Sequence, residues 1–282
     1  MNVLSLFDGM SCGRIALERA GIEVGKYFAS EIDKHAIQVA KENYPDTIHL
    51  GDVQDIMYPE SLDGIKIDLI MGGSPCQGFS YAGKRLNFDD PRSKLFFEYA
   101  RLVKECKPKY FLLENVRMKQ ESQDVITEIL GVEPVAINSS LVSAQNRVRY
   151  YWTNIPNLKQ PEDKGIVFKD ILNPSYKFKK LTKWVFSSWG EKQKIDTLKT
   201  IESAKSFCVT TNKSHCKNYY LNKERTMIRM LERDEVERLQ TVPVGYTDCV
   251  SKTAAHKMLG NGWTVDVISH IFKGLQQGAA NE

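Results

Sequence analysis

Short apolar runs recur through the first half of the chain, each closed by a glycine, an acid or a polar turn: Val3-Leu4-Ser5-Leu6-Phe7, Val24 to Ser30, Ile48-His49-Leu50, Ile67-Asp68-Leu69-Ile70-Met71 and Tyr110-Phe111-Leu112-Leu113. Runs of this length bounded by turn residues predict buried strands. Between them the period lengthens to that of helices. Arg14 to Ala20 is closed by Gly21. Asp33 caps a helix to about Tyr44 that carries Ala36, Ile37, Ala40 and Tyr44 on one face. Ser93 to Cys106 holds Leu95, Phe96, Tyr99, Leu102, Val103 and Cys106 in register. Alternating strands and helices predict an α/β fold with a parallel sheet. Val132 to Asn138 reads as one more strand, followed by Ser143 to Trp152, where alternation would set Arg147 and Arg149 side by side on one face.

From about Asn157 to Arg225 the pattern changes. Apolar periodicity fades, lysines become dense, and Tyr176, Phe178, Trp184, Phe186 and Trp189 lie among them. This predicts a small, irregular second domain with a basic face suited to nucleic acid. Asp234-Glu235-Val236-Glu237 has the form of a capping box. Gly260-Asn261-Gly262-Trp263 precedes a terminal helix with Thr264, Ile268, Ile271, Phe272 and Leu275 on one face, expected to pack back on the first sheet. The expected division is 1–157 with 254–282 for one domain and 158–253 for the other.

Candidate chemistry gathers where strands end. Gly72-Gly73-Ser74-Pro75-Cys76-Gln77-Gly78-Phe79-Ser80 follows an apolar strand, at the position where open α/β sheets place their sites. Cys76 on that loop is either a reactive thiolate or a small buried hydrophobe. Phe7-Asp8-Gly9 through Gly13 is a strand-turn-helix opening without the G-x-G-x-x-G spacing, which argues against a pyrophosphate and for a ligand without phosphates. Glu31 ends the second strand, where one carboxylate can accept from both hydroxyls of a ribose. Asp52 after the third strand could accept from an exocyclic adenine amine while Val53 lies against the ring; singly, each acid also reads as a solvated loop carboxylate. Glu114 ends the Tyr110–Leu113 run, where desolvation would help keep it protonated. Arg147 and Arg149 are two close cations that need an anion or polar ligand, or else are solvated surface arginines.

Composition sets limits on these readings. The 282 residues are 42% hydrophobic and 26% charged, as in an ordinary globular protein, and the net charge of +4 confines any nucleic-acid contact to a local patch. The six cysteines form no C-x-x-C pair, and there is neither a secretory leader nor a long uncharged apolar segment, so a reducing, cytoplasmic setting without membrane contact is expected. Cys208, His215 and Cys216 match no zinc spacing, and no metal is expected.

In this order the segments resemble the cytosine-C5 DNA methyltransferases. The matching stretches are Phe7 through Gly13, Glu31, Gly51-Asp52-Val53, Gly73 through Ser80, Glu114-Asn115-Val116, Gln145-Asn146-Arg147-Val148-Arg149, Glu237-Arg238-Leu239-Gln240 and Gly260-Asn261-Gly262. Arg92 to Phe97, Tyr246-Thr247-Asp248 and Trp263 are most similar to the animal de novo branch, without its accessory domains, which suits a stand-alone bacterial or phage catalytic unit. The resemblance implies a Rossmann-like S-adenosylmethionine-dependent methyltransferase sheet with a small target-recognition domain. It also implies a monomer acting on double-stranded DNA in the nucleoid.

The resemblance further implies that Cys76 adds to C6 of a flipped-out cytosine, activating C5 toward the methyl of S-adenosylmethionine, with S-adenosylhomocysteine as product. Glu114 would hydrogen-bond N3 and the exocyclic amine as a neutral acid; Arg147 and Arg149 would flank the base and lower the thiol's pKa. It assigns Phe7, Asp8, Gly9, Gly13, Glu31, Ile32, Asp52, Val53, Pro75, Leu95, Asn261 and Trp263 to the cofactor, with Asn261 and Trp263 as its far wall. The Phe79 to Pro91 loop would close over the base. Lys205 to Ser214 is similar to the family's recognition loop, a short strand leading to polar residues, so Thr211, Asn212, Lys213 and Ser214, with Ser80, are the candidates for DNA contact. Three rivals remain: a tRNA cytosine-C5 methyltransferase, whose usual Cys-Phe-Thr segment is absent; a zinc deaminase, which would need a cysteine where Phe79 stands; and a catalytically inactive DNA-binding homologue.

Overall fold

The computed structural model of the chain describes residues 1–74, 91–181, 198–212 and 216–279. Strands β1 (Val3–Leu6), β2 (Tyr27–Ser30), β3 (Ile48–Gly51), β4 (Leu69–Gly72), β5 (Tyr110–Val116), β6 (Val135–Asn138) and β7 (Val148–Thr153) share one sheet in the order β3-β2-β1-β4-β5-β7-β6. From β3 to β5 all neighbours are parallel, while β7 runs antiparallel to β5. The apolar runs of the sequence are these parallel strands, whose Leu4, Leu6, Phe28, Ile70 and Leu113 are buried as sheets covered on both faces require. The chain leaves β1 for β2 and β3, then returns to β4 on the other side of β1. That reversal opens a crevice at the strand C-termini.

Helices α1 (Cys12–Arg19), α2 (Lys34–Asn43), α3 (Pro91–Cys106) and α4 (Gln120–Leu130) lie between the strands. Gly21 ends α1 as expected: at φ 68° it lets its N–H reach Glu18 O, at 2.9 Å, and the Ile22 N–H reach Leu17 O, at 3.0 Å. Asp33 caps α2, its Oδ1 accepting from His35 N at 3.0 Å. Residues 120–130 carried no helix expectation; Lys119 at the N-cap makes no side-chain bond there, so the usual start signal is missing.

The chain divides into two units, Met1–Ile137 with Val148–Gln160 and Val267–Glu282, and Asn138–Arg147 with Pro161–Asp266. The second unit thus begins at 138, earlier than the sequence boundary at 158, and takes in residues up to 266. Strands β8 (Lys179–Lys180), β9 (Lys199–Thr200), β10 (Tyr219–Leu221) and β11 (Met227–Met230) form its sheet in the order β8-β11-β10-β9. Its small apolar cluster is Leu198, Leu221 and Ile228. Beside this cluster Arg229 is held by Glu235 through two contacts of 2.8 and 2.6 Å, with the rings of Tyr176, Phe178 and Tyr220 within 4.7–5.5 Å of its guanidinium. Tyr176 and Phe178, expected among the nucleic-acid-facing aromatics, therefore enclose a buried arginine; Trp184, Phe186 and Trp189 lie outside the described residues.

The expected capping box is present but starts earlier. Glu232 is the N-cap of the Arg233–Leu239 helix, and its N–H donates to Glu235 at 3.0 Å. The terminal helix runs Val265–Ala279 with Ile268, Ile271, Phe272 and Leu275 buried, and Gln276 Nε2 donates to Ala20 O at the end of α1 at 2.6 Å. Among the described residues no helix is long and apolar enough to cross a membrane.

Candidate active site

The turn after β1 is built from left-handed backbone. Phe7, Gly9 and Ser11 have φ of 56°, 62° and 62°. Only the glycine adopts this freely, and non-glycine residues held there cluster at ligand sites. Three contacts fix the turn. Gly9 N–H donates to Glu31 Oε2 at 2.8 Å, and Asp8 accepts from Ser11 Oγ at 2.6 Å and Tyr27 OH at 2.7 Å. Burial pushes the Asp8 carboxyl above its ordinary range, the Ser11, Ser5 and Tyr27 hydroxyls pull it back, and nearby Glu31 adds to the rise. Asp8 thus ties the turn to Ser11 and Tyr27. Gly13 is buried inside α1.

Glu31, at the end of β2, gathers three backbone donors: Gly9 N on Oε2, and Ile32 N and Asp33 N on Oε1, each at 2.8 Å. A carboxylate offers about four acceptor positions, so roughly one is left for a ribose hydroxyl. A grip on both hydroxyls requires an amide to be shared or released. Ile32, next along, is 69% exposed, an apolar side chain offered to solvent beside an acid. Asp52 caps the Val53–Asp55 turn, its Oδ1 accepting from Gln54 N at 3.0 Å and Gln54 Nε2 at 3.3 Å, while Val53 is buried. Leu95, on α3, packs against the main apolar cluster.

β4 ends at Gly72 and delivers Ser74, which is buried; Pro75, Cys76 and Ser80 lie outside the described residues, as does the 79–90 part of the expected closing loop. What is described is the joint between this loop and the next strand. Asn115 Nδ2 on β5 donates to Ser74 Oγ at 3.3 Å and Ser74 O at 3.4 Å, and Asn115 Oδ1 accepts from Val116 N at 2.8 Å. Asn115 had no assigned role in the sequence, although a buried amide ending an apolar strand is a signal of such a joint.

Glu114, beside it, is buried, and Arg149 Nε on β7 lies 2.9 Å from its Oε1, with both side chains mostly covered. The acid at this strand end is thus both withdrawn from solvent, as expected, and held beside a guanidinium, a partner that the sequence reading did not assign to it.

Arg147 and Arg149 take different partners. β7 begins at Val148, so Arg147 precedes the ladder that the alternation assumed. Arg147 is 3% exposed and donates to Gly260 O through both terminal nitrogens at 3.3 Å, to Gly262 O at 2.8 Å and to Cys208 Sγ at 3.2 Å. Its chemistry within the second unit is that of a clamp on the Gly260-Asn261-Gly262 turn. Asn261 ends the Lys252–Asn261 helix and is exposed, and Trp263 follows half-buried.

The expected recognition segment carries no strand among its described residues; Ser206 makes an isolated bridge with Gln145. Lys205 Nζ is engaged with the carbonyls of Ser140, Ser143 and Ile166, at 2.6, 3.1 and 2.5 Å, so it anchors the segment. Asn218, buried, donates to Thr210 Oγ1 at 3.0 Å and Asn212 O at 2.8 Å, bending the chain so that Thr211 and Asn212 are exposed. Lys213 and Ser214 lie outside the described residues.

The model of the C-5 cytosine-specific DNA methylase family matches residues 1–151 and 138–277. The type II methyltransferase M1.ScrFI of Lactococcus lactis subsp. cremoris is 30% identical over 309 residues, covering 95% of this chain and 76% of that protein. The type II methyltransferase M.NlaIV of Neisseria lactamica is 45% identical over 196 residues, 62% of this chain and 45% of that protein, so the match spans less than half of it. Among solved structures, the methyltransferase EhMeth of Entamoeba histolytica shares the fold, with a TM-score of 0.81 at 17% identity over 99% of this chain and 98% of that one.

Proposed function

The chain belongs to the C-5 cytosine-specific DNA methylases, and from that premise we propose that it methylates C5 of a cytosine flipped out of double-stranded DNA, through a covalent bond from Cys76 to C6. The observation that supports this reading best is the pairing of Glu114 with Arg149 on adjacent strands, one joint away from the loop that carries Cys76. A cytosine ring accepts a thiolate at C6 only if electron density can move toward N3 and O2. Glu114 hydrogen-bonds N3 and the exocyclic amine, favouring protonation at N3. Arg149 fixes Glu114 and provides the cation on the O2 side. Asn115 holds Ser74, the last described residue before the segment that carries Cys76, to the strand end that bears Glu114. Neither C5 nor C6 can be reached within the base stack, hence the flipped base. A water-mediated base then removes the C5 proton as Cys76 leaves.

The residues of the first unit fit S-adenosylmethionine. A glycine turn without a phosphate nest suits a phosphate-free ligand, Glu31 has an acceptor position left for ribose, and Ile32 offers an apolar surface to an adenine ring. When bound, that cofactor supplies the electrophilic methyl. Phe7, Asp8, Gly9 and Gly13 shape the turn; Asp52, Val53, Pro75 and Leu95, with Asn261 and Trp263 of the second unit, are assigned to the same ligand by family resemblance. Ser80, Thr211, Asn212, Lys213 and Ser214 are the proposed DNA contacts, and Arg147 is assigned to the reaction by family resemblance. The protein acts as a monomer on DNA in the cytoplasm. The type II designation of M1.ScrFI and M.NlaIV suits a sequence-specific mark.

The test is covalent trapping. With DNA containing 5-fluorocytosine the proton at C5 is replaced by fluorine and cannot be removed, so a denaturant-resistant complex should accumulate when S-adenosylmethionine is present. Cys76→Ser should give none. Equal adduct from Cys76→Ser would overturn the assignment.

A further inference from the structure

Six residues of the second unit close a hydrogen-bonded ring. Val209 N–H donates to Gln145 Oε1 at 3.2 Å, and Gln145 Nε2 donates to Gln240 Oε1 at 2.8 Å. Gln240 Nε2 donates to Gly262 O at 3.1 Å and to Leu259 O. Gly262 O also accepts from Arg147, whose other terminal nitrogen meets Cys208 Sγ at 3.2 Å, next to Val209 where the ring began. Gln145 and Gln240 are fully buried, and Gln240 Oε1 takes a further bond from Thr264 Oγ1 at 2.9 Å. A buried amide network in which both ends of each side chain are used fixes one arrangement, because any other leaves a desolvated donor or acceptor.

The ring has a steric counterpart. A Cβ on Gly260 would stand 2.6 Å from Thr210 C, 2.7 Å from Thr210 O and 2.7 Å from Thr211 N. These are backbone atoms and cannot swing aside. The turn bearing Asn261 and the segment bearing Thr211 and Asn212 are in direct main-chain contact, and only glycine at 260 permits it.

We propose that Gln145 and Gln240 are specificity-positioning residues: they hold the base-reading segment Cys208–Asn212 at a fixed height against the Gly260-Asn261-Gly262 turn, so that sequence discrimination depends on a network that itself touches no base. This rests on the proposed reading of Thr211 and Asn212 as DNA contacts. Base discrimination requires side-chain atoms placed to within hydrogen-bond tolerance, and a reading segment released by a few tenths of an ångström keeps its phosphate attraction while losing base contacts.

Two variants test it by different means. Gln240→Met keeps the volume and removes the amide. Gly260→Ala leaves every bond donor in place, improves helix propensity at the end of the Lys252–Asn261 helix, and pushes on Thr210; it keeps the proposal testable if Gln240→Met does not fold. Amide hydrogen exchange of residues 206–211 and bisulfite sequencing of a mixed-sequence DNA pool are read together. The expected result is faster exchange at 206–211 and, relative to wild type, a preference for the cognate context over its single-base neighbours reduced by ~10-fold or more, in line with the loss of one base contact. Unchanged exchange, or faster exchange with an unchanged context, in the variants that fold would overturn the proposal. A wild-type protein that methylates no cytosine would refute the functional reading instead, and the exchange data would still decide whether the ring holds the segment.

Discussion

Arg149 stands opposite Val116 in the antiparallel β5–β7 ladder, one same-face step from Glu114, and its Nε lies 2.9 Å from the carboxylate. That diagonal relation is set by strand register, so the pair is in place before any substrate arrives. Breaking one partner of a mostly buried pair leaves the other uncompensated. Glu114→Gln should therefore lower single-turnover methylation by ~100-fold or more, the usual scale of general-acid contributions. Arg149→Lys keeps the charge and loses the planar donor; a smaller loss is expected, and the double variant should be no worse than Glu114→Gln alone. Additive losses would mean the two act separately.

Glu31 joins the glycine turn to the residues after β2 through three amide donors. Glu31→Gln turns one acceptor oxygen into a donor facing an N–H, so at least one charge-assisted bond is lost, worth ~1.5–3 kcal/mol. Calorimetric binding of S-adenosylhomocysteine should weaken by ~10-fold or more, since ~1.4 kcal/mol is tenfold. If Tm fell while affinity stayed at the wild-type level, Glu31 would be a structural cap only.

The parallel strands were legible because burial on both faces demands unbroken apolar runs, and Leu4, Phe28, Ile70 and Leu113 obey it. The strand-end acids followed from the same logic. What could not be read was partnership. Nothing local tells that Arg147 turns to carbonyls at 260 and 262 while Arg149 turns to Glu114, since both depend on where β7 starts and on contacts across many residues of sequence. The Tyr176 and Phe178 cage around Arg229 was misassigned for the same reason: aromatics beside lysines look alike in sequence whether they face solvent or a buried cation.

His49 on β3 should make stability depend on pH. Burial of its ring, and the Lys41 ammonium second, hold its pKa below the ordinary 6.5. As pH falls below 6.5 the unfolded chain takes up a proton that the folded chain resists, so stability is lost toward acid and regained toward neutrality. In urea titrations between pH 7.5 and 5.5, His49→Gln should lose less stability than wild type on the acid side. Parallel curves would remove His49 from the account.

The last prediction concerns how DNA is held rather than read. Lys179 and Lys180 form the edge strand β8 of the second-unit sheet, both exposed, and Lys217 and Lys223 are exposed nearby in sequence to β10. Alternation places Lys179 and Lys180 on opposite faces of their strand, so a single flat DNA backbone meets one of them more readily than both. Each lysine that neutralises a phosphate releases about one counterion, which lowers the log–log slope of affinity against salt by ~0.9 when that contact is lost. Lys179→Ala and Lys180→Ala should therefore differ: one shallower by about one, the other near the wild-type slope, and neither altering the methylated context, since phosphate contacts carry no sequence. Fluorescence anisotropy across a salt series on one duplex, with bisulfite readout of context, checks both halves. Equal slopes in wild type and both variants would place the electrostatic contact elsewhere in the basic region.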